Sequence, residues 1–427
     1  MLLIASSNLI HAQDDVYPAK KQEGTIFIKN GTVHVGNGQV LANTSVEVKD
    51  GKIVNIGSNI TPSSGATTVD ASGQHIYPGL ILSISNLGLM EVSSVRATID
   101  ATEIGDYNPS VRSLVAYNTD SKVINTLKTT GITLANIVPQ GGIVSGSSSV
   151  VQLDAWNWED AAYATDNAIH INIPNLYNRP TRFGGFMGMQ GPQADPIKRG
   201  LEQIEEVKQF FREAKAYGLQ AQHPKTNLKL QAVQGLFNKK QKLFIHCDVV
   251  REILVAIDFK KEFDFDIVLV GASESYQVAD LLKQNNIPVV LNQMHALPTA
   301  EDDGVDQPYR TPAQLQKAGV LFAINDEDGQ QRGKNLPFNA GTASAYGLSK
   351  EEALSAITLN AAKILGIADK TGSIENGKDA NIVISDGDIL DMRSNKVSLV
   401  MIQGRIVNLT DKHKQLYERY MGKYGLK

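Results

Sequence analysis

Disulfide cross-links are the first feature excluded. The 427-residue chain has one cysteine, Cys247, so no intrachain bridge can form. Long basic runs are absent as well, and the formal net charge is −4. That balance argues against nucleic acid or an anionic membrane as the main partner. No segment reaches the roughly 20 apolar residues of a membrane-spanning helix. Internal repeats and low-complexity tracts are also missing. The rest is ordinary for a soluble globular protein, with 42% hydrophobic and 20% charged residues. The length accommodates one large domain, a smaller one and a sizeable core.

The N-terminus carries an apolar stretch ending in small residues, Met1 to Ala12 (MLLIASSNLIHA). It reads as the end of a secretory signal peptide over residues 1–12, cleaved after Ala12. It is short and lacks a basic n-region, as expected if the true start lies further upstream. The alternative is a frayed, mildly apolar terminus. The expectation is export, to a bacterial periplasm.

Both ends of the chain are rich in strand signals. Ile26, Ile28, Val33 and Val35 alternate with polar neighbours, Asn30-Gly31 and Asp50-Gly51 are turn signals, and Val46, Val48, Ile53 and Ile56 continue a β-meander over Thr25–Ile56. Asn381–Ile384, Val397–Ile402 and Ile406-Val407 repeat the pattern near the other end. Between them strand-like and helix-like segments alternate, as a βα barrel requires. Strands are expected at Tyr77–Ser85, Ile132–Val138, Ser149–Leu153, Ile169–Ile173, Leu243–Cys247, Asp266–Val270, Pro288–Leu291 and Gly319–Ile324. A helix is expected over Pro196–Tyr217, with Leu201, Ile204, Val207, Phe211 and Ala214 on one face and Gly218 just past its end. Another is expected over Ser349–Ile364, opened by a Ser349/Glu352 capping box.

Several motifs resemble one family closely. Ile28–Val33 (IKNGTV), Val48–Ile53 (VKDGKI), Ile357–Gly366 (ITLNAAKILG) and Gly372–Asn381 (GSIENGKDAN) resemble the metal-dependent amidohydrolase superfamily, in its imidazolonepropionase-like branch. The resemblance runs from Thr25 to about Val407. It implies an α/β fold: a distorted (β/α)8 TIM barrel over 76–371, with a small β-sandwich built from 24–75 and 372–409. A C-terminal tail, 410–427, is expected to be helical.

The family's metal sits at the C-terminal mouth of the barrel, where it activates a water and polarises a carbonyl. Its first strand carries Asp-x-His-x-His after a Pro-Gly step. In Tyr77–Asn86 (YPGLILSISN) those positions hold Leu82, Ile84 and Asn86. By the same resemblance, His246 is the strand-five histidine, Gly271 stands where the strand-six histidine belongs, and Asp326, or its neighbour Glu327, is the strand-eight acid. The bridging lysine of some members has no counterpart in Ala168–Ile173. A catalytic zinc keeps about three protein ligands, so His246 and Asp326 alone are too few. No cofactor is expected, or zinc or another divalent metal if the chain is active, with His246 and Asp326 then catalytic. His170 and His295 are the histidines nearest the expected mouth, although each reads first as a packing or surface residue.

Two further segments carry chemistry. Pro139–Ser149 is a Gly/Ser-rich stretch resembling a family loop, and Gln140, Gly141, Gly142 and Ser145, with Asn86, His170 and His295, are ligand-binding candidates. A plain connecting loop is the alternative. Leu153–Asp160 holds both tryptophans, Trp156 and Trp158, and reads either as a sugar or peptide platform or as packing and subunit contact. Cys247 beside His246 suggests a nucleophile pair, but adjacent strand residues point to opposite faces.

Three functions stand open. The first is a non-catalytic homologue binding a small molecule or peptide at the barrel mouth. The second is an active hydrolase of carbon–nitrogen bonds with a rearranged site. The third is a structural partner of a catalytic relative, in a homo- or hetero-oligomer.

Overall fold

A computed structural model describes residues 16–174, 176, 195–292, 294–298, 303–326 and 332–426. The expected signal segment and Glu327 lie outside the described residues.

Two eight-stranded sheets organise the molecule. The first takes β1 (Thr25–His34), β2 (Val40–Lys49), β3 (Lys52–Gly57), β4 (Thr67–Asp70) and β5 (His75–Pro78) from one end. From the other end it takes β14 (Ile382–Ser385), β15 (Val397–Ile402) and β16 (Arg405–Ile406). The second sheet is a nearly closed barrel of β6 (Leu80–Ser85), β7 (Ile132–Ile137), β8 (Val144–Gln152), β9 (Ala162–Asn172), β10 (Lys242–Cys247), β11 (Ile267–Gly271), β12 (Val289–Leu291) and β13 (Phe322–Ile324), adjacent in chain order. The termini meet because β5 pairs in parallel with β1 and antiparallel with β14.

Local rules explain part of this. Asp50 and Gly51 both adopt positive φ, 50° and 77°, in the tight hairpin between β2 and β3. Asn30-Gly31, in contrast, is no turn. It is a bulge inside the single strand β1, and a Cβ at Gly31 would collide with Ile76. The expected strand Tyr77–Ser85 divides between the sheets: Tyr77-Pro78 pairs with β14, while Leu80 onward enters the barrel. Gly79 allows the crossing, since a Cβ there would run into Thr133.

The barrel departs from strict βα alternation. β8 is antiparallel to both β7 and β9, with one helical turn, Trp158–Ala161, before β9. Strand β8 begins five residues before the expected Ser149, and β9 seven before Ile169. Most of the Gly/Ser stretch is therefore strand. Ser and Gly have weak strand preference; pairing on both edges and burial of all nine residues impose it. The helix Pro196–Gly218 forms as expected, capped by Asp195. Ser349–Ile364 instead splits into Lys350–Ala356 and Leu359–Leu365. The break leaves the Ile357 carbonyl outside any helix, where it accepts the Ile81 amide of the first barrel strand at 3.0 Å.

Inside the barrel Ile81, Leu134, Val150, Phe244, Val268 and Ala323 form one apolar cluster with Ile364 and Leu365. The latter belong to a helix held against the strand starts, with the Ile364 carbonyl accepting Lys242 Nζ. No backbone ladder joins β13 to β6. The Asn325 side chain fills that seam: its Oδ1 accepts the Ile84 amide at 3.1 Å and its Nδ2 donates to the Ile84 carbonyl at 3.0 Å.

Candidate functional site

Strand β10 sets the orientation. Leu243, Ile245 and Cys247 pack outward against the helices, whereas Phe244 packs inside. His246 shares the parity of Phe244 and faces the interior near the strand's C-terminal end. Cys247 points away, and burial pushes its thiol well above the usual range. A Cys–His nucleophile pair is thereby excluded.

The partner of His246 is a second imidazole. His246 Nε2 lies 3.0 Å from Nδ1 of His170, and His170 Nε2 lies 2.9 Å from Ser148 Oγ. These groups come from β10, β9 and β8, side by side in the wall. His170 is 0% exposed, which leaves the packing alternative of its first reading and removes the surface one. Desolvation lowers His246 to about 4, and desolvation with the neighbouring imidazole takes His170 well below 6.5. Both rings are neutral near pH 7, each presenting one donor and one acceptor.

Across the barrel Ile84 lies buried in the apolar cluster. Asn86 follows β6 and is buried; its Oδ1 has no hydrogen-bond partner among the described residues. Ser83 Oγ and Asn136 Oδ1, on the first two barrel strands, share that condition. Gly271 ends β11 with φ +85°, and a Cβ on it would lie 2.7 Å from Asp248 Oδ1. More than a missing side chain marks this position: the backbone has turned to positive φ, and the Asp248 carboxylate occupies the space a side chain would take. Val270 is the residue paired with His246. Asp326 follows β13, 2% exposed, with Oδ2 accepting Asn339 Nδ2 at 2.9 Å and Oδ1 3.6 Å from Arg332.

The other candidates have structural partners. The backbone N–H of Gln140 donates to the Ala101 carbonyl. Gly141 and Gly142 turn the chain with φ of 83° and 64°. Asn172 Nδ2 ties this turn to β9 through the Gly142 carbonyl at 2.8 Å and Ser145 Oγ at 3.0 Å. His295 is exposed beyond β12, its Nε2 2.7 Å from Thr342 Oγ1, in a cleft shared with Phe338 and Lys350. It makes no contact with either barrel imidazole. A cavity of about 330 Å³ opens at the rim of the strand ends, bounded by Asp248, Gly271, Asn292, Asp303 and Gln307.

Taken over the described residues, the donor set does not fit a catalytic divalent metal. Among the described residues no three His, Cys, Asp or Glu side chains converge as one requires. Ile84 and Gly271 supply no lone pair, and His246 Nε2 is already engaged. Sequence reasoning missed Ser148, Asn136 and Asn325. A serine in a Gly/Ser run and an asparagine beside the expected acid gave no sign of facing the interior.

Known proteins share this architecture. The amidohydrolase family model matches residues 259–407. The amidohydrolase tasK of Hapsidospora irregularis is 22% identical over 365 residues, covering 76% of this chain but 36% of that protein, so the chain spans about a third of its length. An imidazolonepropionase of Kosmotoga olearia is 22% identical over 386 residues, covering 80% of this chain and 84% of that one. The crystal structure of an amidohydrolase from Thermotoga maritima MSB8 superposes with a TM-score of 0.75 at 26% identity, covering 90% of this chain and 99% of that chain. A barrel with His246 at the end of its fifth strand, a second sheet made by both ends of the chain, and these likenesses together support the amidohydrolase superfamily, and within it the imidazolonepropionase-like branch, as what this chain is similar to.

Proposed function

We propose that this amidohydrolase-family protein binds a small, uncharged, hydrogen-bonding molecule at its barrel mouth and lacks the family's metal-dependent hydrolysis. One observation carries the reading: the imidazole nitrogen that a metal would need is hydrogen-bonded to His170, which is itself tied to Ser148. The remaining family positions offer Ile84, Asn86 and Gly271, and Asp326, whose buried carboxylate accepts Asn339 Nδ2. Around them the orphaned oxygens of Ser83, Asn86 and Asn136 are neutral groups that a ligand's N–H or an ordered water would satisfy. Neutral donors and acceptors along that wall, with the Asp326 carboxylate already engaged by Asn339 and 3.6 Å from Arg332, favour a neutral ligand, because an ion would lose its hydration without an uncommitted counter-charge.

Elemental analysis with zinc titration of the purified protein tests this reading. The expected result is a metal content well below about one equivalent and no hydrolysis of cyclic amides. About one equivalent of zinc, removed by a chelator together with hydrolytic activity, would overturn it.

A further inference from the structure

The two tryptophans that the sequence places together are separated by the fold. Trp158 packs against the core, whereas Trp156 is 65% exposed. Because β8 runs antiparallel, its end delivers Trp156 to the opposite side of the barrel from His246. There a cleft of about 730 Å³ lies between the barrel and the terminal sheet. Five cationic side chains and three carboxylates line it, on a chain whose net charge is −4.

Two of its three carboxylates are engaged, and the third, Asp50, is exposed. Asp379 takes Lys52 Nζ at 2.5 Å and the Tyr163 hydroxyl, and Asp160 accepts the Trp156 amide at 2.9 Å. Lys20, Lys21 and Lys370 are exposed, and none has a carboxylate within ion-pair distance among the described residues. Lys370 Nζ sits 5.9 Å from the centre of the Tyr163 ring, and Tyr17 lies 6.2 Å from the Trp156 ring. The cleft thus joins an excess of cationic groups, three of them unpaired lysines among the described residues, to an exposed aromatic face, at a volume that suits a small molecule.

We propose that this cleft binds a small organic anion carrying a flat or sugar ring, with the ring against Trp156 and the phosphate or carboxylate among Lys20, Lys21 and Lys370. Stacking supplies the orientation, and the ammonium groups supply charge-assisted hydrogen bonds. The site is independent of the barrel mouth.

Tryptophan fluorescence of the full chain, titrated with adenosine monophosphate and with glucuronate, tests it; inorganic phosphate and adenosine serve as single-feature controls. The expected result is a saturable change with at least one ring anion, about tenfold tighter than with either control and weakened by added salt. Which arm responds tells phosphate from carboxylate. Replacing Lys20, Lys21 and Lys370 by Ala should weaken binding about tenfold or more; all three are exposed, so folding is spared. Trp156→Phe keeps Trp158 as a reference and should abolish the signal. No saturable response to either ring anion up to about 10 mM, or equal affinity in the triple variant, would sink the proposal.

Discussion

Replacing Asn325 with alanine should open the barrel at its one unladdered seam. The native amide makes three hydrogen bonds: from the Ile84 N–H at 3.1 Å, to the Ile84 carbonyl at 3.0 Å and to Asn292 Oδ1 at 3.0 Å. Ile84 is 0% exposed, so water cannot replace the lost partners without opening the wall. An orphaned buried group costs about 1–3 kcal/mol. Two on Ile84, with the lost Asn292 bond, total about 3–5 kcal/mol, a large part of the roughly 5–15 kcal/mol that holds a typical domain folded. Urea denaturation reads the sum, and amide exchange at Ile84 reads the seam itself. Asn325→Asp is the companion variant. It still accepts the Ile84 amide but loses both donors and sets a carboxylate against two acceptor oxygens, so it should be at least as damaging. A cost of less than about 1 kcal/mol for Asn325→Ala, with native exchange protection kept at Ile84, would refute the seam's role in closing the barrel.

Other perturbations follow the same logic. Asp154→Ala strands Lys128, whose side chain is 4% exposed and 3.2 Å from that carboxylate. Urea unfolding should report a loss of about 3–5 kcal/mol, mostly recovered by Lys128→Met with Asp154→Leu. Gly341→Ala drives a methyl into the Leu390 carbonyl oxygen and should cost about 1–3 kcal/mol in the same assay, with a control Gly377→Ala limited to the strain of its positive φ. Burial, then the His34 imidazole, pushes His75 below its ordinary 6.5. Between the two values the unfolded chain binds more protons, so stability should fall as pH drops below about 6.5, and His75→Phe should flatten that slope. His34, Asp388, Lys350 and Glu351 face the same ring and set the remainder of the dependence. Export is tested by mass spectrometry of protein recovered from cells, which should find Gln13 as the first residue.

The features legible in the residues alone are mostly local. Alternation along Leu243–Cys247 was enough to turn His246 inward and Cys247 outward, because side chains on a strand alternate whatever the rest of the fold does. Asp50-Gly51 announced its hairpin through the positive φ that such turns need, and Pro196 and Gly218 bounded their helix. The family motifs placed both ends of the chain in one unit, and β5 and β14 do pair there. The absence of side-chain donors at Ile84 and Gly271 was legible letter by letter. The groups that surround those positions follow from long-range packing. His170 meets His246 only because β9 and β10 pair in one register, 76 residues apart. Ser148 reaches that pair because a Gly/Ser stretch is forced into a strand by neighbours on both edges. Asn325 became a seam, and Trp156 was separated from Trp158, for the same reason. Local periodicity sets which face a residue occupies. Which faces meet is a property of long-range pairing, whose free energy belongs to no single segment.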